Sequence, residues 1–290
     1  MLQLELRASI ILGRLPAVRG KTTIAWALMR LAEARGRSDA RCSIRLRNGC
    51  RFELPAGSRM TWEAAAEADY DKAIIDAVSP HIRPHSTILD VGASLGLWTV
   101  QLARIARARD VHVHAFEPNP SNTPWLRRNL ELNGLQSIVT VHEMALGERP
   151  AVAWLGHTEH GIGNGAILAS GDDTNEARQV QVCRLDDLDL HDVSFIKLDV
   201  EGFEPAILRG GTQLLAQEHP VIFGEFSTDW MRLRRESPSA LIDGLGYNAH
   251  AVSTRRSRPW RPIDIAAVTP AAGSVVAENM LLVPRAIDHT

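Results

Sequence analysis

The sequence predicts an α/β fold with a mostly parallel sheet and helices on both of its faces. Two observations carry that prediction. From Thr87 onward, short apolar runs alternate with stretches of helical periodicity, the pattern of parallel strands joined by crossover helices. The first run, Thr87-Ile88-Leu89-Asp90-Val91, leads into the glycine turn Gly92-Ala93-Ser94-Leu95-Gly96, and the next strand ends at Phe116-Glu117-Pro118. An acid and a glycine turn after one strand, then a second acid after the next, is how such a sheet holds a nucleoside-type ligand at its carboxyl edge.

Each element follows in order. Residues 1–35 read as helical, with Ile24, Ala27, Leu28 and Leu31 on one face. Cys42 to Leu54 reads as a β-hairpin around Asn48-Gly49, the preferred pair for a type I′ turn. Pro55-Ala56-Gly57-Ser58 breaks the pattern, a helix is expected over Trp62–Val78 with Thr61 as its cap, and Pro80 and Pro84 close the section. Strands are expected at 87–91, 111–116, 138–142, 194–199, 220–225, 247–252 and 279–284, and helices near 96–108, 120–133, 204–217 and 237–245. The segment Ala151–Cys183 interrupts the alternation and is rich in glycine. An insertion of that length beside a ligand site is more often functional than idle. The expected division is a cap of helix and hairpin over 1–70 and a core domain over 71–290.

Composition narrows the function. The chain is 45% apolar and 23% charged, ordinary for a globular protein with a full core. Its net charge of -2 gives no reason to expect a nucleic-acid or membrane-surface partner. Arginines are dense over Arg30–Arg51 and Arg232–Arg261 and read as solvated faces. Cys42, Cys50 and Cys183 are too scattered for a disulfide framework or a metal site, and read as reduced thiols of a cytoplasmic protein. No apolar run approaches the ~20 residues of a membrane span. Met1–Leu15, interrupted by Glu5, Arg7 and Arg14, makes a poor signal peptide.

Several motifs need separating. Gly13–Thr22 evokes a phosphate-binding loop, but six residues separate its glycines where four are needed. His112 and His114 share one face of a strand, while His157 and His160 fall in the insertion, where they could reach a substrate. The fourth strand runs into Asp199-Val200-Glu201-Gly202-Phe203-Glu204-Pro205, placing three carboxylates at the mouth of the sheet. Glu204 suits a helix start with Pro205 in the first turn, whereas Asp199 ends a buried strand and faces the crevice.

The D-x-G-x-x-x-G spacing of Asp90, Gly92 and Gly96 resembles the S-adenosylmethionine site of Rossmann-like methyltransferases. The chain as a whole resembles the FkbM family of S-adenosylmethionine-dependent O-methyltransferases. The resemblance is carried by Ile88–Gly96, Ala115–Pro120, Asn129-Leu130, Leu132-Asn133, Leu185–Leu188, Ile196–Glu204, Leu208–Gly211 and Glu278–Pro284. It implies a class I sheet of seven strands, the last antiparallel. It implies that Asp90, Gly92, Ala93, Ser94, Gly96 and Trp98 form the turn around the cofactor's methionine end. Glu117, with Pro118 and Asn119, would take the ribose, Met144 and Ala145 the adenine, and Asp199 the crevice beyond. Ser94 and Trp98 depart from the family, which usually has Asn and an aromatic Phe or Tyr there.

The implied reaction is methyl transfer to a hydroxyl of a small molecule, a polyketide or macrolide natural product or a sugar or glycolipid. A general base should assist; Asp199 is the first candidate, followed by Glu201, Glu225 and His160. Asp199 and Glu201 could instead hold Mg²⁺. The N-terminal hairpin and the 151–183 insertion are expected to cover the acceptor. Two rival classes are a nicotinamide-dependent oxidoreductase, which the missing G-x-G-x-x-G disfavours, and a catalytically silent cofactor-binding protein.

Overall fold

The structure is a computed structural model that describes residues 21–157 except 37 and 39, 165–168, 178–226, 238–252, 265–267 and 279–285. The expectations placed on residues 1–20 and on His160 lie outside them, as does the side chain of His157.

The chain opens with α1 (Lys21–Glu33), a ribbon of β1 (Arg41–Arg45) and β2 (Arg51–Pro55), and the short helices α2 (Arg59–Ala66) and α3 (Lys72–Val78). Two expectations are corrected here. On α1 the buried residues are Ala25 and Ala32, packed with Trp62 and Ala66, while Ile24 and Leu31 are 50% and 42% exposed. Small alanines let the two helices approach closely, so shape overrides side-chain hydrophobicity. The single helix expected over Trp62–Val78 is two, because tertiary partners break it. The Arg47 amide donates to the Ala68 carbonyl at 2.9 Å and its guanidinium pairs with Asp69 at 3.0 Å. Asp71 then takes a left-handed φ of 47°.

The core follows as β3 (Thr87–Val91), α4 (Leu97–Arg109), β4 (His112–Phe116), α5 (Thr123–Asn133) and β5 (Val139–His142). Next come β6 (Ala145–Leu146), β7 (Ala151–His157), β8 (Gly165–Leu168) and β9 (Arg178–Cys183), which form a separate four-stranded sheet, three of its strands from the insertion. The chain then returns through β10 (Val193–Leu198), α6 (Glu204–Gly210), α7 (Thr212–Glu218) and β11 (Val221–Glu225). It ends with α8 (Pro238–Gly244), β12 (Tyr247–Val252), β13 (Ile265–Ala267) and β14 (Asn279–Pro284). The expected helix over 204–217 is split into α6 and α7 at Gly210-Gly211. There the chain crosses so close to Gly147 that a Cβ on Gly210 would lie 2.0 Å from its carbonyl oxygen.

The large sheet has the order β13-β12-β14-β11-β10-β3-β4-β5. All seven expected strands are present and β14 runs antiparallel to β11; the three-residue β13 adds an eighth at the edge. Chain order runs outward from β3 in both directions, through β4 and β5 on one side and β10 and β11 on the other. That reversal opens a crevice at the carboxyl ends of β3 and β10.

One sheet face packs Ile88, Val113, Phe195 and Phe223 against α4, α5 and the β1–β2 ribbon in a single apolar cluster. The other packs Leu89, Ile196 and Ile222 against Ile207, Leu215 and Ile242 of α6, α7 and α8. The outer edge of β2 is closed by side chains. Asn129 Oδ1 accepts from the Glu53 amide at 2.8 Å and Asn133 Oδ1 from the Arg51 amide at 3.0 Å. Two asparagines of α5 thus satisfy amides that a third strand would otherwise take.

A candidate cofactor crevice at the carboxyl edge of the sheet

Two glycines shape the turn between β3 and α4. Gly92 has a φ of 79°, and a Cβ there would lie 1.9 Å from the Asp199 carbonyl oxygen. No side chain fits where the ends of β3 and β10 meet. Gly96 has a φ of 88° and starts α4 against Leu126 of α5. Asn129 of α5 steadies the turn by donating from Nδ2 to the Leu95 carbonyl at 2.8 Å.

Beneath the turn lies a buried charge cluster. Asp90 is fully buried; its Oδ2 accepts from Thr99 Oγ1 at 2.6 Å, and its Oδ1 meets the Lys197 ammonium at 3.3 Å as a charge contact. Lys197 also donates to the Gly92 carbonyl at 2.8 Å and lies 3.4 Å from Asp199 Oδ2. Burial works against the ammonium, but Asp90 and Asp199 outweigh it and raise its pKa. One lysine therefore ties β3, the glycine turn and the tip of β10 together.

Glu117, 5% exposed, joins the turns after β3 and β4. Its Oε2 accepts from the Ser94 amide at 2.7 Å, and its Oε1 accepts from the Asn119 amide at 2.8 Å and from Asn122 Nδ2 at 3.1 Å. Burial pushes its pKa up to about 7, against those hydrogen bonds. A carboxylate offers about four acceptor positions, so Oε2 keeps capacity for a further donor.

The crevice encloses about 730 Å³ of open space, solvent at its mouth included, within the range of small-molecule sites. Gly92, Ser94 and Glu117 form its floor. Phe116, Pro118, Met144, Ala145 and Leu146 make an apolar wall on one side, and Asp199, Val200, Glu201 and Phe203 line the other. Met60 from α2 and Leu155 from β7 close its flanks. The 199–203 loop is held by Glu204, whose Oε1 accepts from the Val200 amide at 3.0 Å and the Gly202 amide at 3.3 Å. Burial pushes the Glu204 pKa up to about 7.

A floor glycine turn, a buried acid one strand later and an apolar wall beyond it match the arrangement expected of a methyltransferase. The model of the methyltransferase FkbM domain matches residues 90–247, more than half of the chain. The chain belongs to that family.

This FkbM methyltransferase is also similar to Methyltransferase 1 of Beauveria bassiana, 30% identical over 205 residues that cover 62% of this chain and 78% of the relative. Among solved structures it is similar to the FkbM methyltransferase of Methylobacillus flagellatus, with 17% identity and a TM-score of 0.42. That match covers 77% of this chain, which spans only 54% of the length of that protein. A S-adenosylmethionine-dependent O-methyltransferase of Thermotoga maritima is similar at 15% identity and a TM-score of 0.46, over 84% of this chain and 77% of that one.

Against the sequence reading, the crevice gathers Gly92, Ser94, Glu117, Pro118, Met144, Ala145, Asp199 and Glu201. Ala93, Gly96, Asn119 and Trp98 stand behind that lining; Asn119 holds the β4 turn by accepting from the Ser121 amide at 2.9 Å. Asp90 supports the floor from below through Lys197. The Trp98 ring stacks on Phe223 at 5.3 Å and its Nε1 donates to Asp71 Oδ2 at 2.9 Å. Glu225 is exposed at the end of β11 and does not line the crevice. Sequence reasoning assigned no role to Met60, Leu155, Lys197 or Asp71. Only Lys197 left a signal, as a charged residue inside the apolar strand Phe195-Ile196-Lys197-Leu198. Among the described residues no group of three or more side chains is arranged to hold a metal ion, and no helix is long and apolar enough to cross a membrane.

Proposed function

We propose that this methyltransferase moves a methyl group from S-adenosylmethionine to a hydroxyl oxygen of a small molecule, a polyketide or macrolide product or a sugar or glycolipid. When bound, the donor supplies an electrophilic methyl group on a sulfonium; the protein positions it and excludes water. The observation that carries the reading is Glu117, buried beside the crevice with its Oε2 accepting from the Ser94 amide of the glycine turn. A ribose hydroxyl is a donor of the right kind for the remaining acceptor capacity. Phe116, Met144 and Ala145 offer the adjoining apolar wall an adenine requires.

Alignment of donor and acceptor can supply about 7–11 kcal/mol of the barrier, and a base about 10²–10⁴-fold. Asp199 and Glu201 are the candidates that line the crevice. Calorimetric titration with S-adenosylhomocysteine tests the donor, with ATP and NAD as competitors. Binding that is lost in Glu117→Ala supports the reading; binding of ATP or NAD in its place sinks it.

A further inference from the structure

Four large apolar side chains lie exposed among the described residues, and two of them, Ile24 and Leu31, belong to α1. They stand seven positions apart, on one line along the helix. Ala27 between them is exposed too, and Leu28 beside them is half-buried. The adjoining face of α1 is already occupied, with Ala25 and Ala32 packed on Trp62 and Ala66 of α2. The helix therefore has two apolar faces, one spent inside the protein and one turned outward. Apolar residues aligned in this way, rather than scattered singly, mark a surface that binds something.

The charge around this stripe is not that of the whole chain. The protein carries a net -2, yet residues 30–51 hold seven arginines against two acids. Two nearby carboxylates are already engaged: Glu53 meets Arg41 at 3.6 Å and Arg128 at 3.1 Å, and Asp69 meets Arg47 at 3.0 Å. Across the ribbon Arg45 stands directly opposite Arg51, and both are exposed. Like charges in that position weaken an antiparallel pair. The Arg51 guanidinium donates to the neutral Leu132 carbonyl, which leaves its charge uncancelled. Such an arrangement suits a surface that an anionic partner completes.

We propose that α1 and the β1–β2 ribbon form a docking surface for an anionic lipid bilayer. α1 lies among the headgroups with Ile24 and Leu31 turned toward the acyl chains, and the neighbouring arginines meet the lipid phosphates and carboxylates. An apolar stripe in basic surroundings is the profile of an interfacial helix, and it needs no membrane-spanning segment. A nucleic acid would answer the arginines with its phosphates but offers nothing to an outward apolar stripe. Each basic residue near an anionic leaflet adds a modest attraction that fades within a Debye length. The attachment is therefore reversible. It presents the enzyme to acceptors that reside in or on a membrane. None of these side chains lines the crevice, so the inference stands apart from the reading of the donor site.

The experiment is co-sedimentation of the full chain with two kinds of vesicle, one of phosphatidylcholine alone and one containing phosphatidylserine. The unaltered protein is expected to sediment with the second kind and not with the first. Raising the salt to about 1 M, where the Debye length is about 3 Å, should release it. Arg30→Gln with Arg45→Gln should weaken binding about fivefold for each arginine removed. Ile24→Ser with Leu31→Ser should weaken it by about tenfold or more, with the melting temperature unchanged. No sedimentation with the anionic vesicles overturns the proposal. So does binding that the two serines leave intact, or that a DNA duplex abolishes by competition, since either result makes the surface a general polyanion site. A fall in melting temperature in the serine variant, without a fall in vesicle binding, assigns the stripe to packing within the chain. A dimer that the serine variant dissociates, with no vesicle binding by the unaltered protein, assigns it to a second copy, and the proposal fails in either case.

Discussion

Two strand-end carboxylates face the same crevice and are built in opposite ways. Glu117 at the end of β4 is 5% exposed and receives three hydrogen bonds from its own and a neighbouring turn. Asp199 at the end of β10 has a side chain 46% exposed and shares the Lys197 ammonium with Asp90. The first is a joint that sets the shape of the floor before any ligand arrives. The second sits on a tight loop but leaves its charge open. Neutral donors suffice to organise Glu117, whereas Asp199 answers to an ammonium and keeps nearly half of its surface open to the crevice.

Three measurements sharpen or break that contrast, the largest effect first. Lys197→Met removes the ammonium shared by Asp90 and Asp199. Taking one partner from a buried pair costs about 3–5 kcal/mol, and denaturant unfolding should show it. An Asp90→Asn background should recover part of that loss; additive losses would mean the pair is not the unit described. Asn129→Ala orphans the buried Leu95 carbonyl and releases the Glu53 amide. About 1–3 kcal/mol of stability should go with each buried group left unsatisfied, and S-adenosylhomocysteine affinity should fall with it if the floor is as preformed as Glu117 suggests.

The smallest effect is a pH dependence. Burial holds the Glu117 pKa at about 7, above its ordinary 4.5. The folded protein keeps this proton where the unfolded chain has released it. That stability is therefore fully present below about pH 4.5 and is lost as pH rises through about 7. Glu117→Gln has no such proton. The melting temperature of the unaltered protein minus that of the variant should fall between pH 4.5 and 7, and a flat difference would refute the assignment of a buried, proton-holding Glu117.

The sheet and half of the site were legible because their signals are local. Gly92, Gly96 and Glu117 sit at fixed offsets from apolar runs, and the strands were placed by period alone. What stayed hidden depends on partners far along the chain. Asp71 lay inside an expected helix and acquires meaning only from Trp98, 27 residues on. Met60 and Leu155 come from segments read as a cover, and their approach to the crevice is a tertiary fact. Asp90 was read as a ligand contact because its position in the motif says so, but the motif does not reveal that Lys197 lies beneath the floor to meet it. On α1, counting apolar residues chose Ile24 and Leu31, whereas contact with Trp62 demanded alanine.

The asparagines on α5 carry a further consequence. An unsatisfied strand edge is a template for pairing with other chains and hence for aggregation. Asn129 and Asn133 occupy that edge of β2, and the ribbon's Ile44, Phe52 and Leu54 cover Leu97, Leu102 and Leu126 of the adjoining helices. A shortened protein that starts after the ribbon would bare that apolar surface and take from Asn129 and Asn133 the amides their side-chain oxygens accept from. Expression trials should treat residues 41–55 as a determinant of solubility, to be kept whole.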